Sequence, residues 1–215
     1  MKLTGCSETE FTCKNGECLS IIKRCNQIVD CEDETDEDDC LILDFKGNYK
    51  KSTPPIESKE NDELRPAYVS ISIDFLKMVK TDEVNNKIMI KFTIALEWYE
   101  KRVNFNNLKK PASMNTLSLY EVENLWLPFV IFDNTDMVEA VRVEEGVFTE
   151  VQVTKEEEGR RSDATSMDEI EIYSGRKNKL TLYQTYSKQF HCKYKLHKYP
   201  FHSQVFIVPY PEKPR

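Results

Sequence analysis

The chain is poor in several features that would mark a function. It has six glycines in 215 residues, and none forms a phosphate-cradling loop. No apolar run approaches the roughly 18–20 residues of a membrane-crossing helix. The start, Met1 to Cys6, lacks the apolar stretch of a secretory leader. No Asn-x-Ser/Thr acceptor occurs, so glycosylation offers no guide. No cysteines stand as Cys-x-x-Cys, which speaks against zinc. The net charge of −7 disfavours a nucleic-acid partner. What remains is moderate apolar content with plentiful aromatics, enough for a real core. The seven cysteines ask for an oxidising compartment. With no leader in view, the expectation is a fragment of an extracellular protein, lacking its signal sequence and whatever follows Arg215.

Six cysteines fall within the first forty residues: Cys6, Cys13, Cys18, Cys25, Cys31 and Cys40. A segment this short buries too little apolar surface to fold alone, so bridges or a metal must compensate. Its core candidates are Phe11, Leu19, Ile21, Ile22, Ile28 and Val29. Asp30 to Cys40 is densely acidic. Such a run is commonly a solvated surface, but a cation taking six to eight oxygen ligands would also relieve its repulsion. Sequence alone leaves the cysteine pairing open.

The segment closely resembles the LDL-receptor class A module. The match is carried by Phe11-x-Cys13, Gly16-Glu17-Cys18, Arg24-Cys25, Asp30-Cys31 and Thr35-Asp36-Glu37 ending in Cys40. The resemblance implies pairs Cys6–Cys18, Cys13–Cys31 and Cys25–Cys40. It implies Ca²⁺ held by side chains of Asn26, Asp30, Asp36 and Glu37 and by the carbonyls of Lys23 and Ile28. Asn26 stands where Asp is commoner, which removes a charge and weakens binding modestly.

The expected domain boundaries are 1–41 for this module, 42–65 for a linker and 66–215 for a larger domain. Leu41 to Phe45 is a short apolar patch, and Lys46 to Glu63, with Pro54-Pro55, reads as an extended tether.

Beyond it, apolar residues alternate. Val69, Ile71, Ile73 and Phe75 form one such series, and Ile88, Ile90, Phe92, Ile94, Leu96 and Trp98 a cleaner one. A period of two predicts strands with one buried face. Thr81 to Asn86 reads as the turn between them. Further strands are predicted at 125–132, 137–143, 147–154, 169–173, 180–186, 190–196 and 203–208. Lys155 to Ser166 reads as a mobile loop. The one stretch with helical character is 115–123. The fold class expected is all-β: an antiparallel immunoglobulin-like β-sandwich after a small disulfide-rich calcium-binding module.

The seventh cysteine opens Cys192-Lys-Tyr-Lys-Leu-His-Lys-Tyr199-Pro200-Phe201-His202-Ser-Gln204-Val-Phe206. Proline after an aromatic forces an extended or turned backbone, which suits a loop between strands. This stretch resembles the signature loop of the Cys-loop, pentameric neurotransmitter-gated ion channels. Tyr199, Pro200, Phe201 and Gln204 match it; His202 replaces an Asp and Phe206 the second Cys. The loop therefore cannot close its own disulfide, and Cys192 is expected to be a free thiol. Two more motifs follow the family's order: Trp98-Tyr-Glu100-Lys-Arg102-Val and Leu125-Trp126-Leu-Pro128. Both tryptophans read as core aromatics, inside the family as well as without it, and Glu100 with Arg102, read without the family, is an ordinary surface pair.

The resemblance implies a ligand-binding domain of a channel subunit. Ligand-site segments then fall at Thr93, Phe132 and Asp133, and the coupling loop at Tyr199 to Gln204. It implies homologous subunits in a pentamer, an unknown small-molecule or peptide ligand, and a membrane region beyond this chain at the extracellular face of the plasma membrane. The other reading is a secreted or cell-surface module whose calcium site docks a basic protein partner. Enzyme chemistry is not expected. His191, Cys192, His197 and His202 cluster in sequence, but no orienting acid or oxyanion device accompanies them.

Overall fold

The computed structural model describes residues 6, 7, 9–58, 64–132, 134, 135, 148–161 and 170–192. The described chain is built mostly of antiparallel β-sheet behind a small disulfide-rich module. In chain order the strands are β1 (Glu10–Thr12), β2 (Cys18–Ser20), β3 (Leu43–Phe45), β4 (Ile56–Ser58), β5 (Leu64–Pro66), β6 (Ser70–Asp82), β7 (Lys87–Trp98), β8 (Val103–Asn106), β9 (Phe148–Thr154), β10 (Arg160–Arg161), β11 (Glu171–Ser174) and β12 (Lys179–His191). They pair as β1-β2, β4-β5, β10-β11-β8-β3 and β6-β7-β12-β9.

Two compact units divide the chain. One comprises Met1–Ser72, Ile94–Pro128 and Phe148–Gln184; the other comprises Ile73–Thr93, Phe129–Val147 and Thr185–Arg215.

The first unit begins with the module. Its three disulfides join Cys6 to Cys18, Cys13 to Cys31 and Cys25 to Cys40. They take the place of an apolar core. Ile22, Ile28 and Val29, expected inside, are exposed, while Cys13, Cys31, Thr35 and Asp36 are buried. Bridges of this kind stabilise chiefly by restricting the unfolded chain, so the module needs little apolar burial.

Leu43–Phe45 lies in the stretch expected to be linker, yet it pairs antiparallel with Val103–Phe105. The Glu121 carboxylate fixes it from the other side, accepting the Leu43 N–H at 2.7 Å. Glu121 also closes a capping box with Ser118 at the start of helix α1 (Leu119–Asn124). The Ser-x-x-Glu spacing is the sequence signature of that cap. At the far end of β8, Gly175 lies so close to the chain that an added Cβ would sit 2.2 Å from the Glu100 carbonyl oxygen. No side chain fits there.

The charged stretch expected to be a mobile loop is held over its described part. Arg160–Arg161 pair with Glu171 and Ile172. The buried Asn178 amide oxygen accepts the N–H groups of Glu156 and Glu157. Residues 125–132 were expected to form a strand, but they form no ladder strand. Pro128 has no N–H to give one. The strands expected at 180–186 and 190–196 are continuous as β12 through His191.

In β7 the alternation is as the sequence reads: Ile88, Phe92, Ile94, Leu96 and Trp98 are buried. In β6 it fails. Ile73, Phe75, Leu76, Met78 and Val79 are all exposed, Phe75 by 61 %. Among the described residues the strand's one neighbour in the sheet is β7, which places it at the sheet's edge. Asp82 shapes the turn that joins the two, accepting the Asn85 N–H and side-chain amide.

Candidate functional site

The acidic end of the module is organised by backbone donors. Asp36, 0 % exposed, accepts the Asp30 N–H at 2.8 Å and the Cys31 N–H at 3.1 Å, one on each oxygen. One Glu37 oxygen accepts the N–H groups of Asn26 and Gln27. The Asn26 side chain accepts from the Ile28 N–H and donates to Asp30. The other Asp30 oxygen takes the Lys23 ammonium at 2.6 Å, and that hydrogen bond holds the Asp30 carboxyl below its usual range. The four side chains singled out in sequence thus form one network. A carboxylate oxygen has two lone pairs, so these acceptors are not exhausted. Asn26, Asp30, Asp36 and Glu37 offer oxygen donors, the kind that a hard cation such as Ca²⁺ takes. Two other groupings, Cys6 with Glu10 and Cys18, and Cys13 with Cys31 and Asp33, lie close together. Their cysteines are bridged and offer no thiolate.

A second constellation gathers two of the sequence motifs. Glu100 is fully buried and takes a bidentate grip from Arg102, at 2.7 and 2.6 Å. The sequence reading of an ordinary surface pair is therefore corrected. The Arg102 guanidinium lies over the Tyr49 ring at 4.9 Å and donates to the Thr53 carbonyl at 2.7 Å. Tyr49 accepts the Trp126 N–H at 2.6 Å. Burial pushes the Tyr49 hydroxyl up to about 12. Trp126 stands edge-on to Trp98 at 6.1 Å. Trp98 is a core residue, and its buried indole N–H meets no acceptor among the described residues. Tyr49, absent from the sequence motifs, joins the two.

The residues suggested for ligand contact fall in the second unit. Thr93 is occupied by a hydroxyl contact with Thr185 at 2.9 Å. Phe132 meets Tyr186 edge-on at 5.0 Å and touches Phe92 and Phe190. The Lys188 ammonium lies 5.6 Å over the Phe132 ring. Tyr186, Phe190 and Lys188 were not foreseen, although their period-two spacing in β12 was visible. Asn134, beside them, receives the His191 N–H on its carbonyl. Cys192 carries no bridge, and its N–H donates to the Asn86 carbonyl. Asp133 lies outside the described residues, as do Tyr199, Pro200, Phe201, His202 and Gln204. Among the described residues no helix is long and apolar enough to cross a membrane.

Comparison with known proteins bears on both parts. Residues 4–40 match the low-density lipoprotein receptor domain class A. Over 35 residues the chain is 49 % identical to the vitellogenin receptor of Solenopsis invicta, covering 16 % of the chain and 2 % of that protein. Over 36 residues it is 47 % identical to SCO-spondin of Rattus norvegicus, covering 17 % of the chain and 1 % of that protein. The chain thus spans only a few hundredths of the length of these relatives. Residues 38–205 match the neurotransmitter-gated ion-channel ligand binding domain. Both matched families are binding modules rather than catalysts. The second match covers most of the chain, and the buried Glu100–Arg102 pair with Trp98 and Trp126 lies inside it; the chain belongs to the family of neurotransmitter-gated ion-channel ligand-binding domains, with a class A module at its N-terminal end.

Proposed function

We propose that the chain is the extracellular ligand-binding portion of a ligand-gated ion channel subunit, carrying a calcium-binding module. The observation that carries this reading is the family match over residues 38–205. The exposed apolar run of β6 supports it. Ile73, Phe75 and Val79 on one side of the strand, and Leu76 and Met78 on the other, leave apolar surface that water disfavours and a neighbouring subunit would cover. In such an assembly, ligand acts by favouring the open arrangement over the closed one. The cluster around Phe132 is a ligand-site candidate, with one ring face already taken by Lys188. A cationic ligand would have to compete with that ammonium. In the module, Asn26, Asp30, Asp36 and Glu37, with the carbonyls of Lys23 and Ile28, would hold Ca²⁺. The ion would neutralise the acidic run and hold the loop closed.

The second reading is a secreted or cell-surface protein-binding module without channel activity. His202 and Phe206, in place of the loop's acid and second cysteine, favour it. Reading the coding sequence beyond Arg215 separates the two. The channel reading expects successive apolar runs of roughly 18–20 residues. A stop codon with no such run would leave the secreted module.

A further inference from the structure

Lys109 follows β8 in the first unit, in a loop that the sequence motifs do not touch. Its ammonium donates to two carbonyls of the module: that of Ile22, at 2.9 Å, and that of Arg24. These are the peptide groups on either side of Lys23, whose own carbonyl belongs to the proposed calcium set. The loop is held firmly at its other end. The Asn115 side chain, 1 % exposed, accepts the Lys109 N–H at 2.7 Å and donates to the Lys109 and Val153 carbonyls. Arg24 continues the chain of contacts inward. Its guanidinium donates to the Asp36 carbonyl at 2.6 Å, and the next N–H, that of Cys25, donates to the same carbonyl. A polar path thus runs from β9 through Asn115 and Lys109 to the backbone of Asp36.

Neighbouring contacts close the joint. The Asn106 N–H donates to the Ile42 carbonyl at 2.7 Å. The Asn107 amide reaches Cys25 sulfur at 3.9 Å. Asn107 is held in the left-handed region, at φ 52°, by its exchange of hydrogen bonds with Glu171. Burying an ammonium is costly unless carbonyls or anions receive it. Burial does push the Lys109 ammonium's pKa down, against the pull of Glu171 and Glu37. A side chain placed at that cost is poorly explained as a solvated surface lysine.

We infer that the standing partner of the class A module at its Ile22–Arg24 face is the ligand-binding domain of the same chain, with Lys109 as the docking residue that positions the calcium loop. The docking rests on these hydrogen bonds alone. Its effect on calcium rests in addition on the reading of the acidic network as a calcium site. The module is then a fixed appendage rather than one swinging on a tether. Calcium uptake and order around residues 106–110 must be linked in both directions.

The test uses the full chain, with Lys109→Met and Lys109→Arg. In calcium-free buffer, Lys109→Met should speed amide exchange of Arg24 and Cys25 about tenfold, as loss of charge-assisted hydrogen bonds requires. Lys109→Arg, which keeps the charge and the donors, should stay within about twofold of wild type by the same reasoning. Titrated with calcium chloride, Lys109→Met should bind roughly tenfold more weakly, the usual cost of removing a group that orients a ligand. Unchanged exchange in calcium-free Lys109→Met overturns the docking. If wild type takes up no calcium but Lys109→Met still loosens the module, the docking stands and the calcium reading falls. A further measurement needs no variant. Reducing the disulfides opens the module selectively, since the three bridges found among the described residues all lie within residues 6–40. Amides of Asn107 and Lys109 should then exchange faster; if they do not, the joint does not exist.

Discussion

Replacing Arg102 by Met should cost about 3–5 kcal/mol, the range for stranding one member of a buried ion pair. Glu100 is wholly buried, whereas the Arg102 side chain is 23 % exposed, so the lower end is expected. Arg102 alone supplies the two short bonds from its guanidinium to that carboxylate. The remaining acceptance, from the Arg102 N–H at 3.2 Å, is weak. Methionine keeps the stem and its packing against Tyr49 but leaves the carboxylate without a cation. In a chain of this size the loss corresponds to a fall of about 10 °C in Tm, read by thermal unfolding. Glu100→Gln combined with Arg102→Met should recover part of it, because a neutral amide is cheaper to bury. An Arg102→Met protein as stable as wild type would show the pair to be a surface ornament after all.

Asp36→Asn should remove two contributions at once. The carboxylate accepts two backbone N–H groups where no water can replace it. Hydrogen bonds to a charged group contribute about 1.5–3 kcal/mol each. The amide turns a donor toward one of those N–H groups. The second contribution is calcium itself. A ligand that binds only the folded form stabilises it by mass action, about 4 kcal/mol at a thousandfold excess over its Kd. Wild type should therefore show slower amide exchange over residues 20–40 with calcium than with a chelator. Asp36→Asn should show fast exchange in both. If chelation leaves wild-type exchange unchanged, the acidic network is not a calcium site.

The sequence made some of this legible and hid the rest for physical reasons. β7 was readable because its alternation continues over a dozen residues and a single frame fits; β12 read as two strands because Gln184 and Lys188 interrupt its apolar frame. The same logic misread β6. Alternation reports that a strand could bury a face, not that a neighbour is present to bury it. β3 and β8 are too short to show any period, and β3 carries an acid, Asp44, between its two apolar residues. The helix cap at Ser118 and Glu121 was written in the sequence, but the stretch beyond it is a helix of less than two turns. Glu100 beside Arg102 looks the same in sequence whether solvated or buried. The burial depends on Tyr49 and Thr53, some fifty positions away. Lys109 gave no local signal at all, because its partners are main-chain carbonyls, which every residue has.

The central claim is that this chain belongs to an assembling channel subunit. It is tested most directly by cross-linking the full-length protein at the cell surface. The account predicts a ladder of bands ending at the pentamer. It also predicts that Phe75→Asp, on the exposed edge strand, collapses that ladder toward the single subunit while the protein still reaches the surface. A surface protein that cross-links only as a single copy would contradict it.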